Sequence, residues 1–423
     1  MKLLDELKAR GLVEAMTAPD EIEKALEKPT TVYCGFDPSA RSLQAGNLVS
    51  IMVLRRFQMA GHKVIALVGG ATGLIGDPSG KSAERNMLTV EQVEENKRGI
   101  RENLSRILDF DGPNPAIMVD NYDWYRGMSA IEFLRDIAVN FRVPQMLAKE
   151  SVKKRLEASE GALTFTEFSY QILQGNDFLH LWDNFGCRME VGGADQWGNI
   201  TAGTDLVHRM RGESAFGLTF PLLLDSTGKK FGKSEGNALF LNGEMTSVYD
   251  WYQYFLRAAD ADVIRYLKVF SMRSLEEIAE LEAQMKANPE ARIPQKALAE
   301  ELTRLVHGEA GLKTALGATQ TLFGGDVAGK SADELEVIFK DVKSASLPVS
   351  EIVGKPVFAV AAAAGMFKSN GEARRMAQQG GLSLNGAKVD DKRAFAEGDL
   401  IDGRIALLKQ GKKNNFLLRV SEK

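Results

Sequence analysis

Lys229, Lys230 and Lys233 lie in a stretch punctuated by Gly228, Gly232 and Gly236. Ammonium groups on so mobile a turn can follow a polyphosphate as its geometry changes. They accelerate reaction when their contacts tighten as an α-phosphate becomes pentavalent and pyrophosphate leaves. The stretch lacks the Gly-x-x-x-x-Gly-Lys-Ser/Thr spacing of a P-loop, and a solvated basic turn is the plain alternative. Far upstream, Leu43-Gln44-Ala45-Gly46-Asn47 follows a strand-like run. Gly46 has no side chain to obstruct a base or ribose, and the Gln44 and Asn47 amides can donate to phosphate. Taken alone, this segment reads as a loop.

A second ligand-facing loop runs from Gly69 to Pro78. Thr72 and Asp77 can recognise an amine there, or Asp77 can cap the following turn. Lys81 and Arg85 are four residues apart, so at a helix start both face the same way, toward a leaving phosphate or toward solvent. Tyr170, Gln174 and Asp177 follow helical spacing and present a phenol, an amide and a carboxylate on one face. With Tyr33 they suit a polar, amphipathic small molecule, because such groups need partners once buried. Taken singly, the two tyrosines read as partly buried aromatics, and Gln174 and Asp177 as solvated groups.

The elements that position these residues are readable in outline. Leu3, Leu4 and Leu7 make one face of a short helix ending at Gly11, while Thr31 to Cys34, Val64 to Val68 and Met189 to Val191 read as strands. Strands alternating with longer amphipathic segments imply a largely parallel α/β core. Thr89 with Gln92, Ser274 with Glu277 and Ser331 with Glu334 have capping-box spacing at helix starts. Residues from about 90 to 185 read as a helical insertion. The expected division is a catalytic domain over 1–225 including that insertion, the lysine loop and a helical domain over 226–325, a linker and helix over 326–349, and a small α/β domain over 350–423.

The 423 residues are 44% hydrophobic with a formal net charge of −4, ample for several cores. That charge excludes a wholly basic nucleic-acid-coating protein. Residues 368–423 nevertheless carry 12 Lys/Arg against 7 Asp/Glu, a net of +5 that leaves −9 on the preceding chain. A basic tail on an acidic body fits an RNA-binding appendage, or simply a soluble terminal domain. Cys34 and Cys187 make no disulfide framework, and the four scattered histidines match no short zinc motif. Magnesium at an ATP site would ride on phosphate oxygens, with no dedicated protein metal site. The apolar run Val357 to Ala364 is too short for a bilayer, and the start at Met1-Lys2-Leu3 lacks signal-peptide organisation; a cytoplasmic protein with no membrane attachment is expected.

The segments Tyr33 to Pro38, Gly69 to Asp77, Gly192 to Asn199 and Lys230 to Ser234 together resemble the bacterial-type tyrosyl-tRNA synthetases, a family of class I aminoacyl-tRNA synthetases. The resemblance runs nearly the full length. It implies a Rossmann-like parallel-sheet catalytic core with a helical insertion, a helical domain and a C-terminal S4-like RNA-binding domain. The implied activity is tyrosine–tRNA ligation: ATP-dependent formation of tyrosyl-adenylate, then transfer to tRNA(Tyr). The implied partners are L-tyrosine, ATP and tRNA(Tyr), in a homodimer. Two other readings stay open at this level: a paralogue serving another acceptor, or a weakened RNA-binding protein retaining the fold.

The resemblance also implies roles residue by residue. Tyr33 and Asp177 fall on the tyrosine hydroxyl, and Asp77, Tyr170 and Gln174 on its ammonium, with Thr72 and Asn121 in support. Gln196 falls near the carboxylate and Asp195 near the adenylate ribose. Cys34, Asp37, Gly46 and Gly192 fall on adenosine or ribose, with Ser39 and Ser50 nearby, and Lys81, Arg85, Lys230 and Lys233 on pyrophosphate. Lys368, Arg374, Arg375, Lys412 and Lys413 fall on tRNA phosphates. The sequence departs from the family where two histidines are usual, at Gln44 and Asn47. It also carries Glu190 in place of a common glutamine, an expected addition of negative charge near the substrate.

Overall fold

The computed structural model describes residues 1–79, 87–157, 163–234, 237–324, 327–340, 342–411 and 414–421. Lys81, Arg85, Gly236, Lys412 and Lys413 lie outside the described residues. The chain forms two compact units, residues 1–246 with 253–306, and residues 247–252 with 307–423.

In the first unit, consecutive apolar residues form strands covered on both faces, as parallel sheets require. They are β1 (Ala15–Met16), β2 (Thr31–Phe36), β3 (Lys63–Val68), β4 (Ile117–Asp120), β5 (Cys187–Gly193) and β6 (Phe216–Phe220), in the order β1-β6-β5-β2-β3-β4. Every pairing is parallel except the edge pair β1–β6. Within the otherwise helical stretch 90–185, β4 adds a strand that sequence reading had not separated. Its three apolar residues, Ile117 to Val119, are too few to show a period, and pairing with β3 is what makes them a strand.

The chain proceeds from β2 to β3 and β4 on one side, then returns to β5 on the other side of β2. In open α/β sheets such a reversal leaves a crevice beyond the carboxyl ends of the strands, where ligands bind. Asp37, Gly69 and Ala194 follow β2, β3 and β5 directly, so the candidate residues cluster there by topology. The helix Leu48–Met59 packs on β2 and β3, and its Leu48, Ile51, Met52, Leu54 and Phe57 are fully buried. Burying each such side chain contributes about 1.5–3 kcal/mol.

The helix Phe165–Phe185 starts at a capping box that sequence reading missed: Thr164 Oγ1 accepts from Glu167 N at 3.2 Å, and Thr164 N donates to Glu167 Oε2 at 3.3 Å. It stops at Gly186, whose φ of 62° suits glycine. The three capping boxes expected at Thr89, Ser274 and Ser331 are all formed.

In the second unit, β7 (Ser344–Pro348), β8 (Leu382–Leu384), β9 (Ala387–Lys388), β10 (Ile405–Gln410) and β11 (Asn414–Ser421) form a sheet ordered β9-β8-β10-β11-β7. Helices Val357–Ala363 and Asn370–Gln378 cover a core that includes Val357, Val360, Leu382, Leu408, Phe416 and Leu418.

Candidate active site

The two phosphate-directed segments are stitched together by backbone hydrogen bonds. Ala45 N donates to Leu239 O at 2.8 Å, Leu241 N to Leu43 O at 2.9 Å, and Leu239 N to Gly232 O at 2.8 Å. Gly232, at φ 82°, sits so close that a Cβ there would lie 3.2 Å from both Ala45 Cβ and Gly46 N. Glycine at 232 is thus favoured by its positive φ and by close approach, beyond the mobility that its sequence context suggested.

Phe231 anchors the loop in an aromatic cluster, its ring centroid 5.0 Å from those of Tyr266 and Phe270, while Gly232 N donates to the Tyr254 hydroxyl at 2.9 Å. Lys230 and Lys233, on either side, remain exposed. Gln44, Gly46 and Asn47 are exposed as well. Asn47 Oδ1 accepts from Gln44 N at 3.0 Å, so its carbonyl is occupied and its amide NH2 is the group left to face a ligand.

A second constellation centres on Asp37. Its Oδ1 accepts from Thr72 Oγ1 at 2.8 Å and its Oδ2 from the Tyr170 hydroxyl at 2.7 Å. Asn121 Nδ2 lies 3.0 Å from both Thr72 Oγ1 and Asp177 Oδ2, and Asn121 Oδ1 accepts from Ala71 N. Trp124 Nε1 donates to Asp177 Oδ1 at 2.9 Å. A continuous polar chain therefore runs Tyr170–Asp37–Thr72–Asn121–Asp177–Trp124. Gly69 permits it: a Cβ there would lie 2.1 Å from Asp37 Oδ1 and 2.3 Å from Thr72 Oγ1.

Asp177 is 2% exposed, which overturns the solvated alternative for that residue. The helix Phe165–Phe185 turns it inward, and donors from outside that helix hold it. Burial pushes its carboxyl up to about 7 against the downward pull of the Asn121, Trp124 and Tyr125 hydrogen bonds.

Asp77 organises a third group. Its Oδ2 accepts from Gln196 Nε2 at 2.6 Å, and its Oδ1 from Ser79 N at 2.9 Å, so the turn-capping alternative is realised alongside a polar contact. Asn199 Nδ2 reaches Gln196 Oε1 at 3.2 Å and Ser79 Oγ at 3.4 Å. Asp195 is raised by burial and by Asp77, and lowered by Lys230, which places the lysine loop within electrostatic reach of the Gly192 to Asn199 segment.

Gln174 does not join the Asp77 group; its Nε2 donates to Glu190 Oε1 at 2.8 Å. Cys34 is buried on β2, its thiol pushed up to about 12 by burial and by Glu190, with a partial offset from Ser50. Ser39 is exposed, Ser50 half-buried, and Gly192 buried against Gln196 and Ile200. Among the described residues, no group of three or more His, Cys, Asp and Glu side chains is assembled for a metal.

Sequence reasoning missed Trp124, Asn199 and Asp120. Asp120 is buried, pairs with Lys97 at 2.5 Å and would meet any Cβ on Gly70 at 2.1 Å, which fixes the turn beyond β3. The run Asp120-Asn121-Tyr122-Asp123-Trp124 after an apolar triplet was the available signal, but only the β3–β4 pairing brings it to the crevice. In the second unit, Lys368, Arg374 and Arg375 are exposed, and Arg374 is paired with Asp391 at 2.9 Å.

The model for class I tRNA synthetases of the tryptophan and tyrosine type matches residues 24–324, and that for the C-terminal domain of tyrosine–tRNA ligases matches residues 334–418. A tyrosine–tRNA ligase of Bacillus caldotenax is 48% identical over 99% of this chain and 100% of that protein. The chain belongs to the tyrosine–tRNA ligase family of class I aminoacyl-tRNA synthetases. A family member from Protochlamydia amoebophila is 46% identical over 99% of both chains. Among solved structures, a C-terminally truncated mitochondrial tyrosyl-tRNA synthetase of Aspergillus nidulans aligns with TM-score 0.69 and 29% identity, over 76% of this chain and 94% of that one. The expected family, Rossmann-like core and S4-like C-terminal domain are therefore all found.

Proposed function

We infer that this chain is a tyrosine–tRNA ligase that activates L-tyrosine with ATP and transfers it to tRNA(Tyr). The observation that carries this reading, beyond family membership, is a buried polar chain ending at Asp177 in the same compact unit as the stitched phosphate segments. A tyrosine carboxylate oxygen attacks the ATP α-phosphorus, the bond to the bridging oxygen breaks, and pyrophosphate leaves. The terminal ribose hydroxyl of tRNA then attacks the acyl carbon and releases AMP. No enzyme nucleophile is needed, so rate comes from placement and from electrostatic stabilisation of the transferring phosphoryl group. Magnesium enters on the ATP phosphates.

In this proposal Tyr33 and Asp177 take the tyrosine hydroxyl, and Asp77, Tyr170 and Gln174 the ammonium, supported by Thr72 and Asn121. The burial of Tyr33, Tyr170 and Asp177 supports a dry pocket for the side chain. Phenylalanine would offer no hydroxyl to Tyr33 and Asp177, a penalty large enough to discriminate without editing. Asp37 joins Tyr170 to Thr72, so it orients the ammonium site besides its assigned adenosine contact. Gln196 serves the carboxylate, and Asp195 the ribose with Cys34, Gly46 and Gly192. Ser39 and Ser50 lie along the ATP path. Lys230 and Lys233 stabilise pyrophosphate with Gln44 and Asn47, and Lys81 and Arg85 join them by family resemblance alone. Lys368, Arg374 and Arg375 contact tRNA phosphates, with Lys412 and Lys413 again by resemblance.

The tRNA-binding role belongs to the region from about 350 onward, following the domain division read from sequence. A homodimer is supported by Ile131, Leu134, Val139 and Val143, apolar side chains left half exposed or more in the helical insertion. Sedimentation at low micromolar concentration should give a dimer, and a uniform monomer rejects it. No helix of the described residues is long and apolar enough to cross a membrane, and a cytoplasmic location is proposed.

Tyrosine-dependent ATP–pyrophosphate exchange tests the first step, and charging of tRNA(Tyr) the second. Absence of exchange at saturating substrates overturns the enzymatic reading. Exchange without charging redirects it to another acceptor.

A further inference from the structure

Tyr33 and Glu190 are paired in register across the parallel strands β2 and β5, so their side chains share one face of the sheet. Both are buried, at 1% and 2% exposure. Gln174 Nε2 donates to Glu190 Oε1 at 2.8 Å, which commits that oxygen as an acceptor. The other oxygen, Oε2, and the Tyr33 hydroxyl are each buried without a hydrogen-bond partner among the described residues. The hydroxyl lies beside the carboxyl, close enough for hydrogen bonding between them to raise the phenol and lower the carboxyl, yet short of full hydrogen-bond geometry. Two orphaned polar atoms side by side in a dry pocket are costly unless a ligand or a small rotation pairs them.

The surroundings decide the protonation of Glu190. The helix Phe165–Phe185 presents Gln174 and Asp177, β2 presents Tyr33 and Cys34, and Cys187 lies on Glu190's own strand. On the side of helix Trp197–Arg211, Gly203 closes the space, since a Cβ there would lie 3.5 Å from Oε2. No cation is among these groups. Burial pushes the carboxyl up to about 8 against the downward pull of the Gln174 and Tyr33 hydrogen bonds, with Asp177 adding to the rise. That shift favours the protonated carboxyl near neutral pH, and because Oε1 already accepts from Gln174, Oε2 is the oxygen open to carry the proton.

We propose that Glu190 is a positioning residue for substrate recognition: its carboxyl donates through Oε2 to the Tyr33 oxygen and so leaves the Tyr33 O–H to donate to the phenolic oxygen of tyrosine. The inference rests on the tyrosine pocket of the preceding reading. When Glu190 loses its proton to solvent, Oε2 becomes an acceptor. Tyr33 then turns its O–H onto the carboxylate, and the ligand loses a donor. Tyrosine affinity falls as pH rises through the Glu190 titration, while the phosphate groups of the site are untouched.

The test is tyrosine binding by equilibrium dialysis, with KM and kcat from pyrophosphate exchange, at pH 7 and pH 9 for the wild-type protein, E190Q, Y33F and the double variant. A group titrating at about 8 weakens binding about 10-fold over that interval. Glutamine cannot ionise and still offers a donor to Tyr33, so the rise in Kd and KM for tyrosine should shrink to below about 2-fold relative to any common drift. The tyrosine ammonium and Asp177 titrate in every variant, so the difference between wild-type and E190Q profiles is the readout. Y33F should lose the same pH dependence, and adding E190Q to it should remove nothing more.

A wild-type rise retained in E190Q overturns the proposal. Should E190Q fail to fold, the same rise retained in Y33F overturns it. Absence of exchange with tyrosine binding intact counts against the ligase reading and leaves the dialysis comparison to decide on Glu190. Absence of tyrosine binding overturns both.

Discussion

Gly232 packs tightly on Ala45: a Cβ added at 232 would stand 3.2 Å from the Ala45 Cβ, crowding it by a few tenths of an ångström, on a backbone held at φ 82° where a side chain is strained. This contact joins the loop bearing Lys230 and Lys233 to the turn bearing Gln44 and Asn47. Gly232→Ala should combine backbone strain of about 1–3 kcal/mol with displacement of the loop. The expected result is a loss of roughly 10- to 100-fold in kcat for pyrophosphate exchange, with a smaller change in KM for tyrosine. An unchanged kcat would show that the junction does not set the loop.

Asp177→Asn keeps the shape of the side chain but replaces one acceptor oxygen by an NH2. Asn121 Nδ2 and Trp124 Nε1 now point at those two oxygens, so one donor must lose its partner. A buried orphan of this kind costs about 1–3 kcal/mol. Tyrosine KM should rise, and the preference for tyrosine over phenylalanine should narrow, as measured by exchange with each amino acid. A preference equal to wild type would remove Asp177 from the hydroxyl site.

Gln44 and Asn47 are neutral where the family usually has imidazoles. Asn47 Oδ1 is engaged with Gln44 N, and an imidazole nitrogen at 47 could accept the same bond and keep its other nitrogen for phosphate. The Gln44→His/Asn47→His double variant should therefore speed activation. With each weakened contact worth about 1–3 kcal/mol, restoring both corresponds to a gain of roughly 30-fold to 10,000-fold in single-turnover adenylate formation. Unchanged or slower formation would count against these amides as the weak point.

Glu190 also leaves a mark on stability. Its folded-state pKa, about 8, lies above the ordinary 4.5, so the folded protein holds a proton that the unfolded chain has released. Stability from this group therefore falls as pH rises from about 4.5 to about 8 and levels off above that. Denaturant unfolding of wild type and Glu190→Gln across pH 5 to 9 should show a steeper decline in wild type. Parallel profiles would mean that Glu190 is ionised in the folded state.

The local chemistry was legible in the chain. Capping pairs such as Thr89–Gln92, the apolar strands β2 and β3, and the helical spacing of Tyr170, Gln174 and Asp177 depend on neighbours within a few residues, and sequence records neighbours directly. The motif residues carried the family with them. Burial was not legible, because a carboxylate at a helical position reads as solvated until another element covers it. Asp177 is covered by Asn121 and Trp124, which come from beyond β4 and reach it only through the β3–β4 pairing.

By itself, then, the sequence determined the reaction class, the two-lysine phosphate loop and the absence of the usual histidines. Tertiary structure alone decided which polar groups share a hydrogen-bond chain, that Gln174 turns to Glu190 instead of Asp77, and that Gly232 packs tightly against Ala45. The physical reason is one of range: propensity and spacing act along the chain. Desolvation and steric crowding, by contrast, depend on atoms that folding brings from elsewhere in the chain, beyond the reach of local spacing.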